Sequence, residues 1–160
     1  MPRSSRKLSF SNTYHVIMRA SDRQQLFENS SDYDKYIQIL ELYKQRCGFD
    51  LYAYCLMRNH VHLLIHVNSV SLSSVFQQIN TYYSMWFHAK YDRTGFLLQN
   101  RFFSEPVDND AYLFAVMRYI HQNPVKAGLE KSVGSTYEWS SYNAYICNNN
   151  DLVDTEVIIS

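Results

Sequence analysis

Hydrophobic positions along this chain gather in four short strand-like stretches, some alternating with polar positions, and recur every three or four residues in three longer ones. The first alternating stretch, Thr13 to Arg19, puts Tyr14, Val16 and Met18 on one side and His15, Ile17 and Arg19 on the other. A helix follows the loop from Ala20 to Asn29, with Ser30 or Ser31 expected as N-cap and Asp32 and Asp34 in the first turn. Its apolar stripe is Tyr36, Ile39, Leu40 and Tyr43, and Cys47-Gly48 supplies the terminating glycine. Phe49 to Met57 and His60 to Val67 read as two strands of a hairpin turning at Arg58-Asn59.

A second helix is predicted from Ser71 to about Lys90, with Leu72, Val75, Phe76, Ile79 and Tyr83 at helical spacing. Its polar face carries Gln77, Gln78, Asn80 and Thr81, all uncharged, and is either solvated or a contact surface. Gln99 to Val107 reads as a fourth strand ending near Pro106, and Asp108 or Asp110 is expected to cap a third helix from Ala111 to Gln122, stopped by Asn123-Pro124. The order β-α-β-β-α-β followed by a helix predicts an α+β fold of the ferredoxin-like, split βαβ kind. An antiparallel sheet of four to five strands would carry helices on one face, with one more helix toward the C-terminus. Residues 1–147 would form a single domain, with 148–160 a short acidic tail that starts loosely at Asn148-Asn149-Asn150.

Composition agrees with a buried core: 46% of the 160 residues are hydrophobic, and there are only four Gly and three Pro. No apolar run approaches the ~18 residues that cross a bilayer, and the basic start lacks a signal-peptide core, so a cytoplasmic protein is expected. Cys47, Cys55 and Cys147 are odd in number and widely spaced, which argues for reduced thiols. The zero net charge conceals an asymmetry, with +5 over residues 1–101 and −5 over 102–160. That permits phosphate binding on one part of the molecule. Fourteen tyrosines suit core edges or base stacking.

Candidate chemistry begins at His60 and His62, which share one face of a strand whose other face, Val61, Leu63, Ile65 and Val67, is apolar. Two neutral imidazoles so spaced can converge on a metal ion. They can equally be hydrogen-bonded residues of a half-exposed strand. The third helix has a core stripe of Leu113, Val116, Met117 and Ile120 beside a second stripe of Tyr112, Ala115, Tyr119 and Asn123. If that stripe faces the histidines, the Asn123 amide oxygen could complete a metal site and the Tyr119 hydroxyl could act as a nucleophile. His15, His66 and His121 are read as structural.

Taken together, Tyr14-His15-Val16, Asn59-His60-Val61-His62-Leu63-Leu64, Arg118-Tyr119-Ile120-His121-Gln122-Asn123-Pro124-Val125-Lys126-Ala127-Gly128-Leu129 and Trp139-Ser140-Ser141-Tyr142 resemble the single-tyrosine transposases of insertion sequences. The branch they resemble most is that of the REP-associated tyrosine transposases, within the HUH endonucleases. The resemblance implies a ferredoxin-like core, His60 and His62 as metal-binding histidines, Asn123 as third ligand and Tyr119 as nucleophile. It also implies Mg²⁺ or Mn²⁺ as cofactor, single-stranded or hairpin DNA as partner, and cleavage with strand transfer through a 5′-phosphotyrosine. Related transposases often place glutamine where Asn123 stands. Arg58, Arg101 and Arg118 adjoin these motifs and are candidate phosphate contacts. A homodimer sharing sites in trans and a monomer both remain open. Two other readings compete: a non-catalytic module that binds single-stranded or hairpin nucleic acid, and a phosphodiesterase in which the histidines activate water.

Overall fold

A computed structural model describes residues 5–22, 24–99, 101–147 and 152–156. Outside them lie the first four residues of the basic leader, Asn100 within the expected fourth strand, and the tail residues 148–151 and 157–160. The elements run β1 (Thr13–Arg19), α1 (Ser30–Cys47), β2 (Asp50–Met57), β3 (His60–His66), α2 (Leu72–Tyr91), β4 (Phe103–Pro106), α3 (Asp110–Lys126) and α4 (Tyr142–Cys147). The four strands are antiparallel in the order β2-β3-β1-β4, which is the predicted ferredoxin-like arrangement.

Both faces of the sheet are covered. Tyr14, Val16 and Met18 from β1 and Val61, Leu63 and Ile65 from β3 pack with the apolar stripes of α1 and α2 into the larger core. The opposite face is smaller: Ala53, Cys55, Met57 and Leu64 meet Val116, Met117 and Ile120 of α3. A register shift between Leu51 and Ala53 bulges β2, which is how Tyr52 and Ala53, neighbours in sequence, both serve the second core. The histidine-bearing face of β3 is therefore the face that α3 crosses.

Several boundaries differ from the sequence reading. Asn29, not Ser30 or Ser31, is the N-cap of α1, in extended backbone, and its amide donates to Asp32 Oδ2 at 3.3 Å. Asp32 lies wholly inside the protein, bound by Lys90 Nζ at 2.6 Å and the Tyr91 hydroxyl at 2.5 Å, so it ties the start of α1 to the end of α2. Asn109, not Asp108 or Asp110, caps α3, accepting from the Tyr112 amide at 2.8 Å. The fourth strand is only Phe103–Pro106, the residues in continuous register with β1; Gln99 and Val107 reach β1 by single backbone hydrogen bonds outside that ladder.

The largest correction concerns the end of α3, which does not stop at Gln122 but continues through Pro124 to Lys126. A proline so close to a helix terminus forfeits a single backbone bond, and burial of its ring favours the helical path. The turn beyond is closed by Leu129 N–H on the Pro124 carbonyl at 2.8 Å. The tail is not loose over its described part. Leu152 and Val153 are buried, Asp154 exchanges hydrogen bonds with the Leu51 backbone, and Lys44 Nζ lies 2.7 Å from Asp154.

Candidate active site

Antiparallel pairing places Ile17 opposite His62 and Arg19 opposite His60, so the polar side of β1 borders the histidine pair. His15, one diagonal step away on the same face, puts its Nε2 3.0 Å from His62 Nδ1, with the rings stacked at 5.3 Å. The His60 and His62 rings meet edge to face at 5.0 Å. From the helix above, the Tyr119 ring stands 5.6 Å from His62 and 6.0 Å from His15. Residues 60, 62 and 119 are thus gathered on one side of one sheet, and Tyr119 remains 43% exposed toward solvent.

Hydrogen bonding orients these rings. Asn59 Oδ1 can only accept, so the His60 Nδ1 that lies 2.7 Å from it carries the proton and Nε2 keeps its lone pair. For His62 to present Nε2 in the same way, its Nδ1 must donate to His15 Nε2, and the 3.0 Å contact allows this. Burial lowers the pKa of His60 to about 4, with the Arg19 charge adding to the effect. Burial likewise lowers His62 to about 3, with His15, His60 and Arg19 contributing, and lowers His15 to about 4 against the opposing effect of Glu105. All three imidazoles are neutral at physiological pH, the state in which a ring nitrogen can bind a cation.

The remaining predicted residues are less closely gathered. Asn123 sits one turn beyond Tyr119, where its Nδ2 donates to the Tyr119 carbonyl at 3.0 Å, so the amide is directed along its own helix. Among the described residues, no cluster of three or more His, Cys, Asp or Glu side chains is arranged to hold a metal. Arg118 is exposed beside Tyr119, Arg101 lines hollows next to Ile17 and Phe103, and Arg58 acts on Tyr33, which stacks on Trp139 at 4.7 Å.

His66 bonds Thr13 Oγ1 at 3.1 Å at the far end of β3, and buried His121 bonds Ser141 Oγ at 2.7 Å on another side of α3. Three further residues border the site: His15, which the sequence reading took as structural, and Arg19 and Lys126, to which it gave no role. His15 and Arg19 were detectable from strand alternation combined with β1–β3 pairing. Lys126, whose Nζ lies 4.5 Å from the centre of the Tyr119 ring, follows it by seven residues on one helix face. Ending the helix at Gln122 hid that relation.

The fold is shared with solved structures of low sequence identity. A REP-associated tyrosine transposase bound to a REP hairpin superposes with a TM-score of 0.78 at 20% identity, over 96% of this chain and 94% of that one. A candidate transposase from Deinococcus radiodurans gives a TM-score of 0.52 at 17% identity, over 74% of this chain and 95% of that one. No curated protein sequence matches. The family model described as "Transposase IS200 like" matches residues 9–123, a span that contains β1, the histidine pair, Tyr119 and Asn123. This chain belongs to the IS200-like transposase family.

Proposed function

We propose that this chain is a metal-dependent endonuclease and strand transferase that cleaves hairpin-associated single-stranded DNA through a 5′-phosphotyrosine. The observation that carries the reading is the approach of Tyr119 to within 5.6 Å, ring to ring, of His62, which forms a neutral pair with His60 on the same side of the sheet. The cytoplasm, where chromosomal DNA is met, is the compartment this activity implies. No helix among the described residues is long and apolar enough to cross a membrane.

His60 and His62 would hold the cation through Nε2, with an oxygen donor such as the Asn123 amide completing the set after its side chain turns from the Tyr119 carbonyl. Mixed nitrogen and oxygen donors with remaining water suit Mn²⁺ or Mg²⁺ better than the closed tetrahedron of structural zinc. When bound, the ion supplies positive charge to a non-bridging phosphate oxygen as negative charge gathers there.

Tyr119 supplies the nucleophile. Its phenol loses a proton to solvent, a bond forms from Oη to phosphorus, the bond to the 3′-oxygen breaks, and that oxygen takes up a proton. The ammonium of Lys126, over the Tyr119 ring, favours the negative charge that develops on the phenol. Because one phosphodiester replaces another, a 3′-hydroxyl of a second strand can attack the adduct and reseal without nucleotide hydrolysis. Strand transfer is the cleavage step run in reverse.

Incubation with hairpin-bearing single strands and Mn²⁺ should yield a protein band shifted by covalent oligonucleotide on a denaturing gel, and Tyr119→Phe should abolish it. Continued cutting by Tyr119→Phe with release of free ends would instead favour water activation by the histidines. Binding without cleavage by either protein would favour a non-catalytic module.

A further inference from the structure

We infer that the uncharged face of α2 is a second binding subsite for single-stranded DNA, reached from Tyr119 by a continuous groove along the β4 edge of the sheet. This inference rests on the function proposed above and extends it to where the substrate strand runs. The groove is made of three hollows that share walls. The first, about 340 Å³, lies beside Tyr119 and His15 and includes Ile17 and Phe103. A second of about 310 Å³ shares Ile17 and Phe103 and adds Arg19, Gln99 and Arg101. The third, about 900 Å³, shares Gln99 and Arg101 and opens along Gln77, Asn80, Thr81 and Ser84 of α2.

The lining has the chemistry of a strand path. Although the chain contains fifteen acidic residues, no carboxylate among the described residues lines the second or third hollow, whereas Arg6, Arg19 and Arg101 do. Glu105, in the first, lies beside Tyr112, whose hydroxyl is held in the protonated form chiefly by burial and further by this carboxylate. Exposed aromatic rings stand along the route: Phe103 at 55% between the first two hollows and Phe96 at 76% in the third. Cationic side chains that follow a backbone, with aromatic faces for stacking, form the usual combination for sequence-tolerant single-strand binding.

The path is also held open and ordered. β4 is the terminal strand of the sheet, and the segment before it is fixed to the end of β1 by Gln99 N–H on the Arg19 carbonyl at 3.0 Å and to the turn after β1 by Ser21 N–H on the Leu97 carbonyl at 2.8 Å. Asn80 lines the third hollow, and its buried Oδ1 has no hydrogen-bond partner among the described residues, so turning that oxygen toward a base amino group costs it no hydrogen bond. The other opposite edge of the sheet offers no such route, because residues 139–141 cover β2 through Leu56 N–H on the Trp139 carbonyl and Ser141 N–H on the Tyr54 carbonyl.

The test compares two hairpin substrates, one ending close to the cleavage site and one extended by about ten unpaired nucleotides, with extensions tried on each side. Wild-type protein should bind one extended form at least about tenfold more tightly than the short form by fluorescence anisotropy. Gln77 and Thr81 are exposed, so the double variant Gln77→Glu/Thr81→Glu leaves the core untouched. It should erase the gain from extension while leaving affinity and adduct yield on the short substrate unchanged. Gln77→Lys/Thr81→Lys should strengthen the gain and steepen its salt dependence.

Equal binding of short and extended forms by the wild type would overturn the inference, as would variants that shift both forms alike. A change in sedimentation on introducing glutamates, without change in extended-strand binding, would reassign the face to self-association. Loss of the underlying reading shows differently, as absence of any Tyr119-dependent adduct on every substrate.

Discussion

His60 has its tautomer set by Asn59, and His62 depends for the same orientation on a residue from another strand, His15. His15→Phe keeps an aromatic ring in the stack but removes the acceptor for His62 Nδ1. Loss of such a partner behind a metal-binding imidazole should weaken Mn²⁺ affinity by about ten- to a hundredfold, read directly by calorimetric titration. Unchanged affinity would show that His62 is oriented without it. The neutrality of these rings carries a second expectation. Since burial keeps His60 and His62 unprotonated down to about 4 and 3, Mn²⁺ binding should persist at pH 5.5, where a solvent-exposed histidine of ordinary pKa 6.5 would be mostly charged. Alternation along β3 was enough to place His60 and His62 together on the site face. His15 escaped because its role depends on which strand lies beside β3, and a single strand's pattern carries no information about its neighbours.

At the scale of elements, the sequence disclosed the core stripes of α1, α2 and α3 but not every helix end, and it left the short α4 unpredicted. The stripe of α3 at Val116, Met117 and Ile120 is buried as its spacing requires, whereas the local rule that proline interrupts helices fails at Pro124, where tertiary burial outweighs one lost bond. That extra turn brings Lys126 onto the Tyr119 face. Asp32 shows the same limit. Its position near the start of α1 suggested a surface charge for the helix dipole, but burial would raise its pKa and is outweighed by the Lys90, Tyr91 and Glu28 hydrogen bonds, which hold the carboxyl below its ordinary range. Asp32→Ala removes the acceptor of Lys90 Nζ and the Glu28 amide together and should destabilise the fold by about 2–4 kcal/mol in urea denaturation. Cleavage per folded molecule should be unchanged, because this cluster lies on the α1–α2 side of the sheet.

Over the whole molecule, three buried histidines and the half-buried His60 link stability to pH. His15, His60 and His121 are lowered to about 4 and His62 to about 3, chiefly by burial. The unfolded chain takes up protons near 6.5, while the native protein resists until about 4. Stability of the metal-free protein is therefore complete above that upper value and declines as pH falls between the two. One such histidine alone accounts for about 2 kcal/mol between pH 7.5 and 5, so the urea midpoint should drop markedly over that range, and a flat or rising midpoint would contradict the assigned burial. The segmental charge difference permitted a phosphate-binding part without locating one. Only the folded arrangement brings Arg6, Arg19 and Arg101 along one groove, since they are widely separated in sequence.

The central claim is that Tyr119 forms a covalent bond to DNA beside the histidine pair, and mass spectrometry of the adduct tests it most directly. After nuclease trimming and trypsin digestion, the peptide from Tyr119 to Lys126 should carry a 5′-phosphonucleotide, and the modification should vanish in His60→Ala and His62→Ala proteins. Modification of a different peptide, or cleaved DNA with every tyrosine peptide unmodified, would contradict it.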